Sequence, residues 1–155
     1  MAGPLSSGKV MTRIDLSSTR IAIVVAEWNE EITGALYHAA ASTLLSHGVT
    51  KENIIRKNVP GSFELTLGAQ WMAQRDEIDA VICLGCVIQG ETPHFDYICQ
   101  AVAHGLTEVG LKTGKPVIFG VLTTLTKQQA FDRAGGKYGN KGEEAALTAI
   151  KMLGF

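Results

Sequence analysis

The sequence predicts a three-layer α/β/α sandwich around a four-stranded parallel sheet. Two observations carry that expectation. Four short apolar runs, at 20–26, 54–59, 79–88 and 116–122, alternate with segments whose apolar residues recur at helical spacing. The third run, DAVICLGCVI, is apolar on both alternating faces, as a strand covered by helices above and below must be. Strand–helix repeats of this kind connect through right-handed crossovers.

Each element has a local reason. RIAIVVA at 20–26 is compact and β-branched, and it ends at Glu27-Trp28-Asn29. In EEITGALYHAAASTLLSHG, the residues Ile32, Leu36, Ala39, Ala40 and Leu44 keep helical period; Asn29 suits the N-cap and Gly48 the stop. IIRKNV at 54–59 reads as the second strand, and Pro60-Gly61-Ser62 punctuates the chain before a helix in FELTLGAQWMAQ. After the third strand, Phe95, Ile98, Cys99, Val102, Leu106 and Val109 mark a helix that ends near Gly110. PVIFGVL at 116–122 is the fourth strand, TKQQAFDRA a short helix broken by Gly135-Gly136, and Asn140 with Glu143 a capping-box-like start for the last helix. No repeat or linker divides residues 16–155, which read as a single domain behind a 1–15 segment that is flexible or held by a neighbour.

Composition narrows the partners. A chain of 155 residues, 46% hydrophobic, supports one sizeable core. A formal net charge of -1 gives no basic surface for nucleic acid. No run approaches the ~18 uncharged apolar residues of a membrane span. The first residues, MAGPLSSGKVMTR, lack the hydrophobic stretch of a signal peptide, so cytoplasm is the expected location. Cys83 and Cys86 form a CxxC, but three positions apart on a strand they face opposite sides, which suits buried reduced thiols better than a metal or dithiol. His38, His47 and His104 have no metal-ligand spacing with their neighbours, so no metal is expected.

Candidate chemistry gathers where parallel sheets usually bind ligands, beyond the carboxyl ends of the strands. Those positions hold Trp28-Asn29, Pro60 to Glu64, Gly90 to His94, and Leu122-Thr123-Thr124. Thr92 can cap the following helix with Pro93 in its first turn, and backbone N–H groups around Gly90, Glu91 and Thr92 can cradle an anion; a purely structural cap explains the same residues. His94 sits at the start of that helix, where an imidazole beside an anion site can move protons near neutral pH, or can serve packing alone. Trp28 suits core packing, an interface anchor or a platform for a planar heteroaromatic ligand, with Phe119 as a second wall. Asn29 and Glu64 could bind hydroxyls or ring nitrogens, or simply cap and solvate. Lys141, a cation at a helix start, opposes the helix dipole and so points mildly to a polar contact; exposure to solvent also accounts for it.

Taken together, AEWN at 26–29, VPGSFEL at 59–65, GCVIQGETPHFDY at 85–97, PVIFGVLTT at 116–124 and RAGGKYGNKGEEAA at 133–146 resemble the lumazine synthase family, in order and over nearly everything after residue 18. The resemblance implies a flavodoxin-like fold and a transferase acting on two small-molecule substrates, 5-amino-6-(D-ribitylamino)uracil and 3,4-dihydroxy-2-butanone 4-phosphate. By the match, Trp28 stacks on the pyrimidine, Asn29 with Ser62, Phe63 and Glu64 holds the ribityl chain, and backbone groups at Val87 and Ile88 bind the ring edge. Gly90, Glu91 and Thr92 surround phosphate, Arg133 clamps it, and His94 transfers protons. Phe119, Arg133 and Lys141 come from an adjacent subunit. Gln89 departs from the pattern, since an arginine or lysine often stands there.

The resemblance further implies a homo-oligomer built on pentamers. The short 134–142 connection, AGGKYGNKG, is like that of relatives that close into a 60-subunit icosahedral shell. A riboflavin synthase is a further partner on the same grounds. The competing readings are a riboflavin synthase of lumazine-synthase-like type, a non-catalytic flavin- or lumazine-binding cage, and a flavodoxin-like electron carrier.

Overall fold

The computed structural model describes residues 14–155. The elements run β1 (Ile21–Ala26), α1 (Glu30–Ser46), β2 (Ile54–Val59), α2 (Leu65–Ala73), β3 (Ala80–Ile88), α3 (His94–Thr113), β4 (Val117–Thr124), α4 (Lys127–Phe131), β5 (Ala134–Gly136), β6 (Gly139–Asn140) and α5 (Lys141–Leu153). Single 3₁₀ turns at Lys51–Asn53 and Ser62–Glu64 precede β2 and α2. The four long strands form one parallel sheet in the order β2-β1-β3-β4, in register from Ile21 opposite Ile54 and Ala80 to Ile88 opposite Thr124. This is the expected three-layer sandwich.

Strand periodicity sorts the core onto two faces. Ile21, Ile23, Val25, Ile82 and Leu84 pack under α1 and α5, with Ile32, Leu36, Leu44, Ala146 and Ile150. Ala22, Val24, Val81 and Cys83 pack under α2 and α3, with Leu65, Met72, Val102, Leu106 and Val109. All six residues of β1 are buried, which its central place requires. Cys83 and Cys86 fall in opposite clusters and both are free thiols, as their spacing on a strand dictates. Of the helix residues expected in the core, Ala39 is only half-buried, and Thr33 takes a buried place beside Ile32.

Several boundaries differ from the sequence reading. α3 runs through Gly110 to Thr113, and the chain turns at Gly114 with φ 66. Gly110 does not end the helix; a Cβ there would make ordinary contact, 3.6 Å from the Lys115 carbonyl and from Val117. β4 extends to Thr124 because Thr123 and Thr124 remain paired with Val87 and Ile88. Beyond α4 the Gly-rich segment forms a two-stranded antiparallel hairpin, β5–β6, that periodicity did not foresee. Of the 1–15 segment, residues 1–13 lie outside the described part, whereas Ile14 packs against the first core cluster.

Candidate active site

The strand order reverses direction between β1 and β3, which makes their carboxyl ends a switch point open to ligands. A cleft of about 690 Å³ opens there, lined by Trp28, Asn29, Pro60 to Glu64, Cys86, Val87, Ile88, His94 and Ile98. Thus ten of the residues singled out in the sequence, Trp28, Asn29, Pro60 to Glu64, Val87, Ile88 and His94, share one cavity.

Local structure explains the placement. Asn29 occupies the N-cap position of α1, yet its side chain makes no cap bond. Its backbone is left-handed, at φ 63 and ψ 47, which asparagine tolerates better than most residues. The side-chain amide reaches across instead and donates to the Cys86 carbonyl at 3.0 Å. The expected cap is therefore a strap between the ends of β1 and β3. Trp28 leaves the strand with its N–H donating to the Pro60 carbonyl at 3.0 Å, and its indole is 75% exposed at the rim. Core packing is excluded for it; an exposed ring of that size at a cleft is a platform or an anchor.

The Pro60–Glu64 turn is fixed by Glu64, whose carboxylate accepts from the Gly61 N–H at 3.0 Å. Ser62 is buried under the cleft floor, and its hydroxyl lies where a side chain on Gly85 would need to go, a Cβ there coming within 2.5 Å. Phe63 stands 56% exposed at the rim. His94 opens α3 on the same wall.

Thr92 does not cap α3. Pro93 is the N-cap, its carbonyl accepts from the Asp96 N–H at 3.0 Å, and no side chain caps the end. Proline supplies the fixed φ, and its carbonyl takes one of the first-turn donors in place of a side-chain cap. Gly90, Glu91 and Thr92 are exposed and line neither large cavity, and their N–H groups take no backbone acceptor among the described residues. Gln89, just before them, is pinned by its N–H to the Thr124 carbonyl at 2.9 Å.

The remaining candidates lie elsewhere. Phe119, Arg133 and Lys141 line a second cleft of about 1090 Å³ along the outer edge of β4, together with Thr123, Thr124 and Glu144. Leu122 to Thr124 therefore does not join the Trp28 cleft. Phe119 projects 45% exposed from the open sheet edge. Arg133 donates from Nη1 to the Gln129 carbonyl at 3.0 Å. Lys141 pairs with both oxygens of Glu144 at 2.9 Å, an i,i+3 contact that answers the unfavourable position of a cation at a helix start. Asn140 accepts from the Gly142 N–H at 2.8 Å, so it caps α5 without the reciprocal Glu143 bond.

Comparison with known proteins gives the family. The family model for 6,7-dimethyl-8-ribityllumazine synthase matches residues 18–155. The chain belongs to the 6,7-dimethyl-8-ribityllumazine synthase family. It is 70% identical over 139 residues to the 6,7-dimethyl-8-ribityllumazine synthase of Cytophaga hutchinsonii, covering 90% of this chain and 87% of the relative. It is 60% identical to that of Parabacteroides distasonis, over 91% and 88% of the two chains. For the Bacteroides fragilis protein of the same name the identity is 56%, over 88% and 95%.

Within this 6,7-dimethyl-8-ribityllumazine synthase fold, sequence reasoning missed two lining groups. Ile98 joins Pro60 in the apolar wall of the first cleft, and Glu144 holds Lys141 in the second. The i,i+3 spacing of Lys141 and Glu144 was the available signal. Cys86 also faces the first cleft, and burial pushes its thiol from 9.0 up to about 11. Burial pushes Cys83 further in the same direction. A thiol with a raised folded-state pKa contributes stability that is fully present below pH 9 and fades as pH climbs toward 11. The thiolate is scarce near neutrality, so Cys86 is no nucleophile. Iodoacetamide at pH 8 is expected to leave Cys83 and Cys86 unmodified in the native protein, read by peptide mass; rapid labelling of Cys86 would contradict this. No described helix is long and apolar enough to cross a membrane, and the described residues contain no His/Cys/Asp/Glu group able to hold a metal ion.

Proposed function

We propose that the chain, as one domain from residue 16 onward, condenses 5-amino-6-(D-ribitylamino)uracil with 3,4-dihydroxy-2-butanone 4-phosphate in a site shared by two copies. The products are 6,7-dimethyl-8-ribityllumazine, phosphate and water, in the penultimate step of riboflavin biosynthesis. Family membership carries the reaction. One observation supports the shared site: the aromatic and histidine half and the arginine half line separate clefts of a single chain. Each cleft has about half of the groups that the reaction needs, and a second copy would bring Phe119, Arg133 and Lys141 to Trp28 and His94.

In that assembly Trp28 stacks on the pyrimidine, while Asn29, Ser62, Phe63 and Glu64 hold the ribityl chain and the Val87–Ile88 backbone reads the ring edge. The phosphate rests on the exposed N–H groups of Gly90, Glu91 and Thr92 at the start of the 20-residue α3, facing the neighbour's Arg133. The amine attacks the ketone and water leaves as the imine forms. Phosphate departs with the C–O bonding pair, the enol becomes a ketone, and ring closure expels a second water. His94 moves protons in these steps, aided by water and the substrate phosphate, and Arg133 stabilises the departing phosphate. Holding two reactive substrates in line supplies much of the acceleration.

Incubation with both substrates, and with each omitted in turn, tests the reaction. Lumazine and phosphate are expected only in the complete mixture. Riboflavin formed from lumazine alone would favour the riboflavin synthase reading, and binding without turnover the cage reading. The same proposal places the enzyme in the cytoplasm as pentamers, twelve of which close into a 60-subunit shell able to associate with a riboflavin synthase. Native mass measurement checks the assembly; a stable five-subunit species alone would reject the shell under those conditions.

A further inference from the structure

We infer that Tyr138 is a positioning residue for Arg133, presetting the guanidinium for the phosphate of the second substrate. The inference rests on the reading of Arg133 as a phosphate clamp and adds what holds that clamp in place.

The guanidinium carbon of Arg133 lies 4.8 Å from the centre of the Tyr138 ring, within cation–π range. The chain is folded to bring them together. After Arg133 it turns through Gly135 at φ 109 and Gly139 at φ 78, conformations that residues with a Cβ rarely adopt. The Tyr138 N–H donates to the Asp132 carbonyl at 2.7 Å, and the Arg133 carbonyl accepts from the Lys141 N–H at 2.9 Å. The hairpin therefore presses a tyrosine back onto the arginine that precedes it.

The choice of partner matters chemically. A guanidinium has five N–H donors in a planar fork. A carboxylate partner would occupy two of them and neutralise the charge meant for phosphate. Among the described residues no acidic side chain forms a salt bridge with Arg133. Neighbouring Asp132 is engaged by the Gln128 amide at 2.9 Å. A cation–π contact restricts the rotamer without consuming an N–H donor; only Nη1 is committed, to the Gln129 carbonyl. Gln129 is itself anchored, its amide oxygen accepting from the Leu125 N–H at 2.9 Å. Tyr138 lies against the guanidinium and Gln129 takes one donor, while Arg133 lines the second cleft with its other donors uncommitted to acceptors among the described residues.

Steady-state kinetics of the assembled enzyme, varying each substrate in turn, test this. Tyr138→Ala is expected to raise KM for the butanone phosphate about two- to fivefold, the range of an exposed cation–π contact. KM for the pyrimidine and kcat should stay near wild type, and Tyr138→Phe should restore the phosphate KM, since the ring suffices. Arg133→Ala, run alongside, separates the two claims. If it raises the phosphate KM while Tyr138→Ala does not, the tyrosine role is overturned and the clamp stands. If Arg133→Ala leaves that KM unchanged, the clamp reading falls and the tyrosine role with it. A Tyr138→Ala change spread evenly over both substrates and kcat, or no recovery with phenylalanine, marks a merely structural tyrosine and also overturns the inference.

Discussion

Subunits carrying His94→Ala and subunits carrying Arg133→Ala, each nearly inactive alone, are expected to recover about a quarter of wild-type activity when co-expressed in equal amounts. The figure follows from the proposed shared site, in which the two residues come from opposite sides of an interface. His94 lines the cleft over the ends of β1 and β3, whereas Arg133 lines the one along the edge of β4. A working site takes its histidine half from an Arg133→Ala subunit and its arginine half from a His94→Ala subunit. Random mixing meets each condition at about one half of interfaces, hence about one quarter for both. The parents set the baseline. The proposed role of Arg133 at the departing phosphate implies a loss of about 10²–10³ in kcat/KM on its removal, as for an oxyanion donor. The proposed role of His94, with phosphate and water sharing the proton transfers, implies that its loss slows chemistry more than binding, by about 10²-fold, the low end for a positioned acid–base. Differently tagged copies, purified sequentially and assayed against the parents, give the readout. Mixed assemblies no more active than the average of the two parents would mean that each site is complete within one subunit.

That experiment depends on a distinction the sequence conveyed only through resemblance. Residues 20–124 announce the sheet, because buried parallel strands must be apolar and the helices between them must be periodic. The same patterns brought Trp28, Ser62, Val87 and His94 to one cleft, since each follows or ends one of the neighbouring strands β1, β2 and β3. Periodicity is silent about contacts made across the chain. Asn29 has the chemistry of a cap, yet the carbonyl it finds is Cys86, 57 residues away. Gly110 and Gly114 look alike in sequence; only a positive φ at the second marks the helix end. The β5–β6 hairpin spans five strand residues rich in glycine, too few and too bare for any alternation to register. Yet it is this hairpin that sets Arg133 against Tyr138.

Gly142→Ala is expected to lower stability by about 3 kcal/mol, near the top of the overpacking range, and Tm by about 6–12 °C. Gly142 lies buried in the first turn of α5, where α1 crosses it. A Cβ on it would run into the Leu36 carbonyl oxygen, with the Leu36 carbonyl carbon at 2.7 Å and Cα at 2.9 Å. These are backbone atoms, so no rotamer change relieves the clash and the two helices must part. Separation breaks more than packing. The Asn140 amide donates to the Ala35 carbonyl at 3.3 Å while its oxygen accepts from the Gly142 N–H, and the adjoining Lys141 lines the second cleft. Alanine in a helix interior gains about 1 kcal/mol over glycine, which offsets only part of the strain. Gly34, in α1, isolates that gain, because a Cβ there meets nothing within 4 Å. Gly34→Ala should therefore stabilise by about 0.5–1 kcal/mol. Thermal unfolding of both variants at one protein concentration decides the matter. Equal shifts would mean that helix propensity, and not the α1–α5 contact, governs both sites, and that Lys141 does not owe its position to that contact.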